Sequence, residues 1–352
     1  MAPFKDEINP QVVALWGERV GGSAAWVQAT SLPLADLELK ARVEHVAQGL
    51  WGILGPELLP ALERLKTAAL TEPPLKAFAA WPAFTMVAKQ GLEYPAQSLE
   101  TLGMLTHLFS AEFAVRPFID AHPKLAMAQM LAWTTHEDEH RRRLASEGCR
   151  TRLPWGGNLR ALIADPSPIL PILEALQDDE AEYVRRSVAN NLNDLSKDHP
   201  ALVMEICERW SVGASKDRDR LVKHALRSLI KAGDPRALAI IGVAEPALSG
   251  LVFQASGQVQ LGEHLELNLR AELPKKQKLV VDFALHLKHK NGAHGRKVFK
   301  WRTLTAPAGA LELNKRHPLK AVTVRSYYPG VQKVELLVNG RSMGMLEFEL
   351  TV

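Results

Sequence analysis

The chain is poor in cysteine: among 352 residues there are two, Cys149 and Cys207, both inside helical patterns and neither in a CxxC spacing. That argues against a disulfide framework and a zinc ribbon, and makes a reduced cytoplasm the simplest compartment. Long apolar runs are also lacking. The most apolar late stretch, Ala237 to Phe253, is broken by Glu245 and Pro246, and the first residues, Met-Ala-Pro-Phe-Lys-Asp-Glu, carry no charged-then-apolar leader. Neither a membrane span nor a secretory signal is expected. Low-complexity tracts are missing too, and an apolar fraction of 47% with 23% charge describes an ordered, soluble protein. Its length allows two or more domains, each with its own core.

The net charge of +4 conceals an asymmetry. Residues 251–352 hold 16 Lys and Arg against 8 Asp and Glu, whereas residues 1–250 hold 27 against 31. The C-terminal part alone has the balance of something that meets a polyanion. A solvated surface on a small β domain is the plainer alternative, because net charge bears on non-specific binding and not on fold.

The N-terminal part contains a repeated design. Glu139-His-Arg-Arg-Arg-Leu-Ala-Ser-Glu147 and Glu182-Tyr-Val-Arg-Arg-Ser-Val-Ala-Asn190 start 43 residues apart, and a weaker copy at Asp219 to Arg227 follows 37 residues later. That period is typical of HEAT-like solenoids, where a helix pair buries its apolar face only by stacking on its neighbours. Helices are expected over Leu37 to Leu70, interrupted at Gly55-Pro56, then over Lys76 to Gly91, Ala96 to Phe109 and Ala111 to His122. The repeat units supply the pairs 125–133 with 139–150, 169–177 with 181–197, and 201–210 with 217–232. After about Ser249 the period changes from 3.6 to 2. Strands are expected over 259–273, 278–289, 297–304, 321–328 and 333–352, the last folded into a hairpin at Asn339-Gly340. The expected architecture is therefore an all-α HEAT-like repeat solenoid, residues 1–249, followed by an all-β immunoglobulin-like sandwich, residues 250–352.

On a helical wheel the middle second helix sets Val184, Val188, Leu192 and Leu195 on one stripe, and Arg186, Asn190, Asp194 and Lys197 on another. The matching positions in the flanking helices are Arg143, Glu147 and Thr151, and Lys223, Arg227 and Lys231. Stacked, these would make a concave, mainly basic surface with two carboxylates in it. Arginine and lysine suit phosphate contacts, but a carboxylate facing phosphates weakens binding unless it has another task. Glu147 and Asp194 are thus the residues to question. The alternative is ordinary pairing along each helix, Glu147 with Arg143 and Asp194 with Arg186 or Asn190.

Three further features each admit two readings. His136-Glu137-Asp138-Glu139-His140 matches the zinc motif H-E-x-x-H, but it straddles the turn between paired helices, where a bent backbone would not present both rings to one metal. No metal and no cofactor are expected. Trp155, between a proline and two glycines, suits either a base- or sugar-contacting aromatic or a loop anchor. Asn191 falls near the apolar stripe, where a buried amide needs partners, so bracing its neighbours competes with touching DNA.

Phe113-Ala-Val-Arg-Pro-Phe-Ile119, Arg142-Arg-Leu-Ala-Ser-Glu-Gly148 with Arg152-Leu-Pro-Trp155, and Tyr183 to Asp194 resemble the AlkC branch of the HEAT-like alkylpurine DNA glycosylases, which is related to AlkD. Thr151 departs from a proline in shorter relatives, and the β domain resembles the subgroup with an immunoglobulin-like extension. The resemblance implies excision of cationic N-alkylated bases, chiefly N3-methyladenine with N3-methylcytosine as a second, without rotating the base into a deep pocket. It puts Glu147, Asp194 and Trp155 at the lesion nucleotide. Arg143, Arg152, Arg186, Asn190, Asn191, Lys197, Lys223, Arg227 and Lys231 fall to the DNA. The partner is double-stranded DNA containing alkylated bases, with no membrane and no obligate protein partner, and the basic β domain is expected to clamp the duplex. A non-catalytic HEAT scaffold and a damaged-DNA binder without base release are the other classes left open.

Overall fold

The computed structural model describes residues 3–321 and 326–352. Helices come first: α1 Pro10–Val20, α2 Ala24–Ser31, α3 Leu39–Leu54, α4 Leu58–Leu70, α5 Trp81–Gln90, α6 Pro95–Leu105, α7 Arg116–Ala121 and α8 Pro123–Trp133. They continue with α9 Glu139–Gly148, α10 Arg160–Ala164, α11 Leu170–Leu176, α12 Glu182–Leu195, α13 Pro200–Ser211, α14 Lys216–Ala225, α15 Arg227–Ala232 and α16 Pro235–Ile240. Eight strands follow: β1 Ser249–Ala255, β2 Gln258–Gln260, β3 His264–Leu273, β4 Gln277–Lys288, β5 His294–Ala306, β6 Gly309–Pro318, β7 Gly330–Val338 and β8 Arg341–Thr351.

The chain divides into two compact units. One comprises residues 1–199 and 216–225, the other 200–215 and 226–352. Helices α13, α15 and α16 therefore group with the strands, and α14 with the earlier helices.

In the first unit helices stack on others close by in the chain, α3 on α5, α4 on α6, α6 on α8, α9 on α12 and α12 on α14. The expected apolar stripe of α12 is its core face, with Val184, Val188, Leu192 and Leu195 all at most 1% exposed. Consecutive repeats are also joined by a polar rung. Arg142 of α9 donates to the carbonyls of His136 and Glu137 in the turn before its own helix and to both oxygens of Asp179 in the next repeat. Arg185 of α12 does the same one repeat on, donating to the carbonyls of Asp179 and Glu180 and pairing with Asp217 at 3.1 Å. In each of these two repeats one arginine thus satisfies the carbonyls of its own turn and reaches forward to the next. In the third repeat the position is Val222, and the series stops.

Several helices are shorter than expected, and two of the differences have a clear local form. The run from Ala111 is helical only over Arg116–Ala121. Pro117 explains this, since proline is tolerated in the first helical turn but clashes with the carbonyl four residues back in an interior. The run 217–232 breaks at Leu226, and its two pieces, α14 and α15, fall in different units.

In the second unit the strands form sheets of order β1-β3-β6 and β2-β8-β7-β4-β5. Leu265, Leu267, Leu269, Leu311 and Leu313 from the first share one core with Val281, Phe283, Leu285, Val334, Leu336 and Phe348 from the second. This is a cysteine-free sandwich held by packing, with Phe283 meeting Trp301 edge-on at 6.3 Å. The hairpin at Asn339-Gly340 has both residues at positive φ, 49° and 78°, the geometry of a type I′ turn. Strand 259–273 is divided in two by a turn at Gly262 (φ 105°), and its halves join different sheets. Residues 322–325 of the strand expected over 321–328 lie outside the described residues. Both β1 and β6, which the periodicity reading omits, are sheet edges.

Candidate DNA-lesion site

The site is built where the end of α9 meets α12. Asp138 caps α9 by accepting from the His140 amide, and the helix runs to Gly148. His136 and His140 stand on either side of that capped turn, with His136 Nδ1 accepting from the Asp138 amide at 3.0 Å. Among the described residues no group of three or more His, Cys, Asp or Glu could hold a metal ion.

Glu147, in the last turn of α9, and Asp194, in the last turn of α12, are 5% and 3% exposed. They meet through a residue absent from the expected set. The Arg150 guanidinium donates from Nη1 to Glu147 Oε1 at 2.6 Å and from Nε to Asp194 Oδ2 at 2.8 Å. Burial works against a charge on Arg150, yet the two carboxylates outweigh it and hold its pKa above the ordinary guanidinium value. Glu147 Oε2 accepts from Ser187 Oγ at 2.7 Å, and Asp194 Oδ1 from Lys197 Nζ at 3.0 Å. The cluster extends through Arg143, which lies 3.5 Å from Glu147 and 2.9 Å from Glu112, and 4.9 Å from the Tyr183 ring centroid.

The pairing differs from the helical-wheel expectation. Glu147 does approach Arg143, but its shorter contact is with Arg150, and Asp194 pairs with Arg150 and Lys197, not with Arg186 or Asn190. Arg186 turns to Glu182, one turn earlier, at 2.6 Å, and the Asn190 side chain is hydrogen-bonded to His224. Thr151 does not continue the surface stripe either: α9 ends before it, and it is fully buried.

Asn191 is a correction as a DNA contact. It is 0% exposed, and its amide donates to the Ser146 carbonyl at 2.8 Å, bracing α9 against α12. Arg152 forms a two-pronged pair with Asp198, at 2.9 and 2.8 Å, and remains partly exposed. Lys223 is exposed on α14, whereas Arg227 and Lys231 sit on α15, which belongs to the other unit.

Trp155 is 59% exposed and has φ 64°, a conformation that is a true outlier for a bulky side chain and persists only when its surroundings impose it. Those surroundings are on view. Lys40 Nζ binds the Trp155 carbonyl at 2.7 Å, and the indole meets Phe4 edge-on at 6.4 Å. Buried Arg116 donates to the carbonyls of Gly148 and Arg150 at 3.1 and 2.8 Å and to that of Gly157. One guanidinium therefore ties the tryptophan loop to the turn that carries Arg150. Behind Trp155 a cleft of ≈ 440 Å³ is lined by Trp81, Phe113 and Arg116 among others.

A family model described as DNA alkylation repair enzyme matches residues 109–229, which contain Glu147, Arg150, Trp155 and Asp194. A second, described as the C-terminal Ig-like domain of the uncharacterised protein YhaZ, matches residues 251–352. YhaZ of Bacillus subtilis (strain 168) is 37% identical over 319 residues, 90% of this chain and 88% of that protein. Pseudomonas fluorescens alkylpurine DNA glycosylase AlkC, solved bound to DNA containing an abasic site analog, is 33% identical with a TM-score of 0.92, each chain covered in full. The chain belongs to the AlkC-type alkylpurine DNA glycosylase family. As an AlkC-type protein it couples a helical repeat region to an Ig-like domain, in agreement with the fold class expected from periodicity. No described helix is long and apolar enough to cross a membrane.

Proposed function

We propose that this AlkC-type protein is a DNA glycosylase that hydrolyses the N-glycosidic bond of cationic alkylated bases in duplex DNA, chiefly N3-methyladenine and also N3-methylcytosine. The supporting observation is that Glu147 and Asp194, from successive repeats, share one guanidinium on a turn tied to the exposed Trp155. A base alkylated to a cation is already a good leaving group, so a strong general acid is unnecessary. What the reaction needs is negative charge beside the deoxyribose, where oxocarbenium character develops, and a group to orient water. Two buried carboxylates meet the first need, and either can serve the second. Trp155 stands against the sugar or base of the lesion nucleotide, with no deep pocket required.

Arg143, Arg152, Arg186, Asn190, Lys197, Lys223, Arg227 and Lys231 are assigned to the DNA backbone, while the domain of residues 250–352, with its excess of Lys and Arg, adds phosphate contacts. The division at residue 249 is part of this reading, as is action on DNA in the cytoplasm. The test is incubation of the full chain with methylated genomic DNA, followed by chromatography of the released bases. Free N3-methyladenine is the expected product. Retained binding to damaged duplex with no base released would make the protein a damaged-DNA binder.

A further inference from the structure

We propose that Arg150 is a positioning residue that holds Glu147 and Asp194 at a fixed separation and offsets the charge of both. Its kinetic consequence rests on the glycosylase reading above, but its stability consequence does not. The guanidinium springs from a pinned backbone, because Arg116 holds the carbonyls on either side of Cys149, those of Gly148 and Arg150. Its planar fork then spans two helices, Nη1 reaching Glu147 at 2.6 Å and both Nε and Nη2 reaching one oxygen of Asp194 at 2.8 Å. A lysine ammonium, a point charge on a flexible stem, cannot reproduce that span, although it would keep the charge.

Among the described residues Arg150 alone touches both carboxylates. The other groups around them act on one or lie farther off. Arg143 approaches only Glu147, at 3.5 Å, and is shared with Glu112. Lys197 reaches only Asp194 and is half exposed. Ser187 donates to Glu147, while Tyr183, Cys149 and Arg152 face the cluster without bonding to either carboxylate. If the guanidinium were removed, two buried anions would face one another. Such a pair takes up a proton where a solvated pair would not, and a protonated carboxyl cannot stabilise an oxocarbenium ion.

The test uses the full chain and two substitutions. Arg150→Gln should give base release that falls about tenfold per pH unit on the acid side of a new limb and recovers toward alkaline pH. Arg150→Lys should be slower than wild type but keep the wild-type pH profile. A rate lowered equally at every pH in Arg150→Gln, or one identical limb in both variants, would overturn the proposal. Thermal unfolding followed against pH provides a readout that needs no glycosylase activity. Asp194→Asn should lower the melting temperature of wild type and raise that of Arg150→Gln, because in the latter it removes a repulsion. If Asp194→Asn destabilises both backgrounds alike, Arg150 does not hold the pair. Should Arg150→Gln fail to fold, the same comparison is made in Arg150→Lys, where a loss as large as in wild type would likewise overturn the proposal. Wild type that releases no base but shows the rescue would sink the glycosylase reading and leave this one standing.

Discussion

Glu147→Gln isolates charge from shape at the proposed reaction centre. The amide is isosteric, and its oxygen still accepts from Arg150, whose other nitrogens hold Asp194. The amide NH2 can donate to Ser187 Oγ, which in the native protein donates to the carboxylate. Only the charge is lost, so the cost in folding should be about 1–2 kcal/mol, the exchange of a charged hydrogen bond for a neutral one. The cost in catalysis should be larger. At 5% exposure the carboxylate is mostly shielded from water, and a unit charge about 4 Å from a developing cation is worth about 4 kcal/mol at an effective dielectric of about 20. Arg150 offsets part of this field. A fall of about 10²–10³ in the single-turnover rate of N3-methyladenine release is therefore expected. Fluorescence anisotropy with a duplex carrying an abasic-site analogue should show affinity within about threefold of wild type, because the side chains assigned to the phosphates, Arg143 included, keep their charges. Base release within about threefold of wild type would refute the reasoning and place the essential negative charge elsewhere.

Other consequences can be checked separately. Arg142→Ala strips Asp179, whose side chain is 4% exposed, of its guanidinium, and should destabilise the chain by about 3 kcal/mol in urea unfolding. Gly340→Ala would set a Cβ 2.5 Å from Gly233 Cα while φ is +78°. Backbone cannot yield cheaply there, so a loss of more than about 1 kcal/mol is expected in the same assay. Burial, with Lys315, Lys297 and His264 adding positive charge, pushes the His317 imidazole down to about 4. The unfolded chain then binds its proton first, near the ordinary value of about 6.5, so stability is lost as pH falls from about 6.5 toward about 4. His317→Gln should flatten melting temperature against pH in that window. Finally, neutralising Lys297, Lys300 and Arg302 on edge strand β5 should weaken duplex binding irrespective of sequence. The salt slope should fall by about 0.9 for each phosphate that is no longer neutralised, and an unchanged slope would take this strand out of DNA binding.

Local features are readable in the sequence and non-local ones are not. Helix pairs show in the 3.6 period because α12 buries a stripe of Val184, Val188, Leu192 and Leu195, and the Asn339-Gly340 turn is dictated by two left-handed residues in a row. Strand β6 escapes the periodicity because as a sheet edge it turns Glu312, Asn314 and Arg316 to solvent and buries only Leu311 and Leu313 in midstrand. At the site, residue types and family resemblance point to Glu147 and Asp194 but not to Arg150. Its i,i+3 spacing from Glu147 is in plain sight. Its aim is not, since it lies beyond the end of α9, where the helical wheel no longer applies, and its second partner is 44 residues away. Asn191 illustrates the reverse error: a polar residue near an apolar stripe has two outlets, and only the position of the Ser146 carbonyl chooses between them.

The arginine that serves its own turn and clasps the aspartate ahead makes the helical array directional. A duplicated copy of the unit between Asp179 and Asp217 would find a socket at each end, so the array could lengthen by tandem duplication at that seam. Val222 offers no such clasp, and an extra unit inserted beyond it would leave the aspartate of its turn without a guanidinium from the repeat before. Growth of the array by gene duplication is thus permitted within the repeats and closed off at their final member.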